Sequence, residues 1–197
     1  MPASLDFTAQ QRRIIDALRP ILGTEADALY EANGRSLHKL AHFARGSSLP
    51  CCQRLVTSLA LAQELLTEEL ATGPVLGTPA TVSDFLKLHF AGQPYESFVV
   101  MYLDAQLRLI ATEDLFRGTV AQTSVHPREV ARRALHHNAA AVIVAHNHPS
   151  GVAKPSHADE VLTKALQASL ALLDVRVLDH LVVAGSEATS LAQRGLM

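Results

Sequence analysis

The run Ala139-Ala140-Ala141-Val142-Ile143-Val144-Ala145 leads directly into His146-Asn147-His148-Pro149-Ser150-Gly151, and this junction decides the fold. A continuous apolar run of this length reads as a strand buried on both faces, the kind found in sheets covered by helices. Around it, helical and strand patterns alternate. His126-Pro127-Arg128-Glu129 opens a helix expected to run to about His137, with Pro127 at an early helical position and Asn138 at its end. A second helix is expected over 157–173, and a strand over VRVLDHLVVAG (175–185). Upstream, YESFVVMYLD (95–104) reads as a strand ending in a turn at Asp104-Ala105-Gln106, LRLIATEDLFRGTVAQTSV (107–125) as two more strands, and 82–91 as a short helix. This part of the chain is an α/β domain.

Working outward, the first seventy-odd residues lose the strand pattern. Phe7, Ile14, Ile15, Leu18 and Ile21 recur at mostly helical spacing, with Gly23 and Gly34 as punctuation. A longer amphipathic helix is expected from about Leu49 to Ala71, with Pro50 suited to its first turn. TGPVLGTPATVSD (72–84) then gathers Gly, Pro, Thr and Ser and marks a boundary. The expected organisation is a helical domain over 1–72, a linker over 73–80 and a metal-binding α/β domain over 81–197.

Composition excludes several classes. The hydrophobic share of 48% is ample for a core. No apolar run approaches the roughly 18–20 residues that cross a bilayer, and the first twenty residues lack the basic start and apolar stretch of a signal peptide. A cytoplasmic protein is the expectation. Cys51 and Cys52 are adjacent and read as small apolar residues on a helix. Residues 1–78 carry seven Lys/Arg against eight Asp/Glu, and the remainder ten against eleven. Neither half shows the basic excess with which proteins grip phosphate backbones.

The chemistry lies at the junction. In extended backbone, residues i and i+2 point to one side, so His146 and His148 present two imidazoles together while Asn147 faces away. Neutral imidazole is a good zinc ligand, and Asp159, in the first turn of the next helix, supplies the third donor. Three protein ligands leave a position for water, as in catalytic rather than structural zinc sites, and zinc brings the pKa of such water to about 7. Ser156-His157-Ala158-Asp159 also reads as a helix capping box.

His146-x-His148-Pro149, followed by Ser156 and Asp159, resembles the H-x-H-P-x(6)-S-x-x-D signature of the JAMM/MPN metalloproteases. More narrowly, VHPREV (125–130), AHNHPSG (145–151), VRVLDHLVVAG (175–185) and the closing LAQRGLM resemble the bacterial RadC-like branch. The resemblance runs from about residue 79 to the end. It implies a cytidine-deaminase-like MPN fold with a mixed sheet flanked by helices, one Zn2+ per chain, and hydrolysis of peptide or isopeptide bonds in a peptide or protein substrate. It further implies a glutamate acting as general base and acid, matched by Glu96 just before the FVVMYLD run, with Glu129 as the rival. Ser156 matches the residue that stabilises the oxyanion. His126, His157 and His180 read either as supporting partners or as ordinary polar residues. Arg128 and Lys154 read either as contacts for an acidic substrate group or, preferably, as solvated surface charges.

RadC-like chains commonly carry a helix-hairpin-helix element ahead of this domain, whose glycines let backbone amides approach a phosphate. Here the corresponding ARGSSLPCCQRLV (44–56) has one glycine, Gly46, and a proline, so the hairpin reads as degenerate. The alternative function, a DNA-repair-associated module binding DNA or protein on an MPN scaffold, is opposed by the charge and by the intact ligand set.

Overall fold

Alternation along the strands sets the layers of this protein. The computed structural model describes residues 7–75, 79–118 and 125–197. By internal contacts the chain divides into two units, Met1–Ala62 and Gln63–Met197.

The first unit is helical: α1 (Ala9–Leu22), a 3-10 turn (Gly23–Glu25), α2 (Ala26–Ala32), α3 (Leu37–Gly46) and the first part of α4 (Pro50–Thr72). Thr8 caps α1 in a reciprocal box with Gln11. Gly23 and Gly34, both at φ of 66°, end segments in the left-handed region that glycine enters freely. Phe7, Ile15, Leu18, Leu22, Tyr30 and Leu40 form the core with Cys51 and Cys52. Both thiols are buried, and burial pushes the Cys52 thiol up. Gly46 ends α3 and has no positive φ.

In the second unit, α5 (Pro79–His89) precedes β1 (Ser97–Leu103) and β2 (Leu109–Arg117). Then follow α6 (Pro127–His136), β3 (Ala141–Asn147), α7 (His157–Ala171), β4 (Arg176–Ala184) and β5 (Glu187–Ser190). The sheet order is β2-β1-β3-β4-β5. Among the described residues only β3 and β4 are parallel; β1 runs antiparallel to β2 and β3, and β5 antiparallel to β4. The sheet is thus mixed and the class α/β, as read from the sequence. β1 and β3 are buried along their whole length.

Successive side chains point to opposite faces. Val99, Met101 and Leu103 of β1, Ile143 and Ala145 of β3, and Leu181 and Val183 of β4 meet Val82, Phe85 and Leu86 of α5. The intervening Phe98, Val100, Tyr102, Val142 and Val144 meet Val130 and Ala134 of α6 and Leu166 and Leu170 of α7. Even-numbered positions of β3 therefore face α7, and this parity aims His146 at that helix.

The described residues bear on three further expectations. The contact boundary lies at Ala62/Gln63, inside α4, whereas the sequence reading placed a linker at 73–80; Leu70 near the end of α4 belongs to the second unit's core with Val75 and Phe85. Over 107–125 one strand, β2, is present, and residues 119–124, where a further strand was expected, lie outside the described residues. The tail after Gly185 forms β5, too short at four residues to show a pattern.

One ion-pair cluster braces the outer strand. Arg133 of α6 donates to both carboxylate oxygens of Glu113 on β2, and His137 lies 2.8 Å from Oε1. The guanidinium hydrogen bond, followed by that of His137, holds the Glu113 carboxyl down at about 2. A carboxyl lower in the folded than in the unfolded chain adds stability above its unfolded value and loses it as pH falls through the folded one. The melting-temperature gap between the parent and Glu113→Gln is therefore expected to be full at pH 7. It should close as pH drops from about 4.5 to about 2, as followed by circular dichroism.

Candidate metal centre

β3 carries the first ligand further into the protein than the apolar run suggests. The strand extends through Asn147, and the His148 N–H continues the ladder by donating to Val183 O at 2.8 Å. Extended backbone thus persists across all three residues, and His146 and His148 emerge on one side. Their Nε2 atoms stand 2.9 Å apart, and Asp159 Oδ1 lies 3.3 Å from His146 Nε2. The three donor atoms fall within 4.8 Å of one another.

The hydrogen-bond network fixes which nitrogen of each imidazole is free. Thr163 Oγ1 donates to Asp159 O at 2.6 Å, so it must accept from His180 Nδ1, also at 2.6 Å. His180 Nε2 is then the acceptor for His146 Nδ1–H at 2.9 Å, leaving a lone pair on His146 Nε2. His148 Nδ1 donates to Val152 O at 2.9 Å, leaving a lone pair on His148 Nε2. Two lone pairs and a carboxylate oxygen converge with no proton between them. Such an arrangement repels itself unless a cation sits among the three. Three donors gathered this closely form a group that could hold one metal ion.

Electrostatics agree. Burial pushes His146 down to about 4 and His180 down to about 3, so both rings are neutral, the form that ligates. Burial pushes the Asp159 carboxyl up, but His146 and the two hydrogen bonds from Ser156 outweigh it and hold it below the usual range. The two oxygens of Asp159 divide their work. Oδ1 faces His146, while Oδ2 accepts from Ser156 N–H and Oγ–H, both at 2.7 Å, closing the capping box of α7.

Glu96 immediately precedes β1 and lines a cleft of about 780 Å3 with His148. Burial pushes its carboxyl up, with His148 offsetting part of this and Asp159 adding to it. Asn147, facing away from the ligands, braces this segment. Its Oδ1 accepts from Ser97 N–H at 2.7 Å and its Nδ2 donates to Tyr95 O at 2.9 Å. Glu129 lies elsewhere, at the first turn of α6, where Arg132 Nε donates to it at 2.9 Å and Arg128 lies 3.7 Å away. His126 stands at the N-cap position of α6 without a side-chain capping bond and packs edge-on to Phe116, and His157 and Lys154 are exposed.

His180 is the residue the sequence left undecided. Its position is set by the parallel register, which places it beside Val144 of β3, and by parity, which turns it toward Thr163 on α7. Partners of this kind orient a metal-binding imidazole, and losing one typically costs 10–100-fold in metal affinity. Thr163→Val keeps the shape and removes the acceptor for His180. It is expected to weaken any metal binding at this group by about 10-fold or more in a chelator competition titration, with little change in secondary structure.

Residues 76–196 match the model of a family described as RadC-like JAB domain. The chain is 46% identical over 183 residues to a UPF0758 protein of Nitrosomonas europaea, covering 93% of this chain and 81% of that one. It is 54% identical over 143 residues to a UPF0758 protein of Albidiferax ferrireducens, covering 73% of this chain and 61% of that one. A UPF0758 protein of Methylibium petroleiphilum is 57% identical over the same number of residues, covering 73% of this chain and 64% of that one. Several relatives are thus spanned over less than two thirds of their length.

Proposed function

We propose that this chain, which belongs to the RadC-like JAB domain family, is a single-zinc amide hydrolase that cleaves peptide or isopeptide bonds. The observation that carries this reading is the convergence of His146 Nε2, His148 Nε2 and Asp159 Oδ1 on one point beside a cleft lined by Glu96. When bound, the ion supplies a Lewis acid that polarises the scissile carbonyl and acidifies attacking water.

The protein's own residues supply the remainder. Glu96 accepts a proton at its carboxylate as the oxygen of water bonds to the carbonyl carbon, and returns that proton to the amine as the C–N bond breaks. Partial burial, which raises its pKa, brings it nearer to the poise a proton shuttle needs at neutral pH. Ser156 Oγ–H donates to the developing oxyanion by turning from Asp159. Its backbone N–H keeps hold of the same Oδ2, so Asp159 remains in place while the hydroxyl turns. Thr163 and His180 keep His146 in the ligating tautomer.

The test is cleavage of peptide and isopeptide-linked substrates by zinc-loaded protein. Chelator is expected to abolish cleavage and added zinc to restore it. Full activity in chelator, or in His148→Ala, rules the reading out.

A further inference from the structure

Arg117 closes β2 at the rim of the cleft that holds Glu96 and His148. Its guanidinium carbon lies 3.6 Å from the centroid of the Tyr95 ring. Stacking of this kind uses the flat face of the guanidinium and leaves its N–H edge free. Among the described residues no carboxylate pairs with Arg117, whereas Arg108, just before β2, and Arg128, Arg132 and Arg133 of α6 each have one. The side chain is exposed, yet it is not simply a solvated charge, because the ring fixes its plane. The backbone beneath is fixed as well. Gly118 N–H donates to Glu96 O at 2.8 Å, and Asn147 holds Tyr95 and Ser97 on either side of Glu96.

We infer that Arg117, held flat by Tyr95, is a carboxylate-binding subsite that selects substrates bearing an acidic group close to the scissile amide. The inference rests on the hydrolase reading and names its substrate class. Glu96 lines the cleft, so an acidic substrate group meets a like charge there, and Arg117 on the same lining is the fixed side-chain cation that offsets it. A planar fork of N–H donors suits a carboxylate, which accepts two parallel hydrogen bonds. The carboxylate comes either from an aspartate or glutamate side chain or from a free C-terminus.

The test reads binding without turnover. Full-length protein is titrated with acetylated, amidated tetra-alanine peptides carrying one Glu or one Gln, and with tetra-alanine ending in a free acid or an amide. Arg117 Nε–H and the amides of Tyr95 and Gly118 are followed by NMR. The parent is expected to bind one acidic member about 10-fold more tightly than its neutral counterpart, and the pair that shows the difference identifies the source of the carboxylate. Arg117→Gln should erase the preference. Arg117→Lys, which keeps the charge but loses the fork, should fall between. Equal affinity within both pairs overturns the inference. So does a preference that survives in Arg117→Gln, which would place the carboxylate on the metal instead. Absence of cleavage leaves a positive binding result standing, and cleavage without acidic preference removes the subsite alone.

Discussion

A His146→Ala/His148→Ala variant is expected to purify without zinc, and the parent with about one ion per chain. This is the largest effect expected from any change in the protein. The two imidazoles supply two of three donor atoms, and the remaining carboxylate is half committed to capping α7. A lone oxygen ligand on a surface helix turn does not retain zinc against buffer, because structural affinity comes from several deprotonated donors held at once. Plasma mass spectrometry of both proteins, with melting curves to confirm that the variant is folded, decides the matter. Zinc retained at parent level means the ion binds elsewhere and removes the basis for the hydrolase reading.

The second large effect separates chemistry from binding. Glu96→Gln keeps the shape and the hydrogen-bonding capacity of the side chain but cannot take a proton. Turnover is expected to fall by a factor of order 10²–10⁴, with zinc content unchanged, since Glu96 lies outside the group of three ligands. Glu129→Gln is expected to leave turnover within about twofold of the parent, because its carboxylate is engaged by Arg132 on the outer side of α6. The opposite ranking would exchange the two residues' roles. Steady-state kinetics on any substrate that passes the chelator test provide the comparison.

Legibility in the sequence followed the range of the interactions. The H-x-H pair was readable because a two-residue period in extended backbone is a local property, and the structure keeps that backbone extended through His148. Asp159 was readable as a donor from its place in the first turn of the helix that follows the His148 loop, and the capping box read there as the alternative is present as well. Glu96 entered through resemblance to a family; nothing in YESFVVMYLD itself separates a strand-end glutamate from a functional one, and only the folded cleft places it with His148. His180 stayed ambiguous because its partners, His146 and Thr163, are 34 and 17 residues away, and only the parallel pairing of β3 with β4 brings them together. The boundary at 73–80 was inferred from turn-forming composition, which marks where helix stops rather than where contacts divide. Arg117 drew no notice, since a lone arginine after a strand carries no pattern.

The donors come from β3, the residue just after it and the first turn of α7, and the supports of His146 from α7 and β4. These are the same three elements that make up the parallel crossover of the sheet, whose pairing must close a long loop. An ion that binds only when all three are in place contributes its binding energy to the folded chain. At a free concentration about a hundred times its Kd that contribution is about 2.7 kcal/mol, a sizeable fraction of a domain's total stability. On the proposed hydrolase reading, metal supply sets more than turnover: in a zinc-starved cell the ion-free chain is expected to open more often and be removed sooner by proteases, so that abundance and activity fall together.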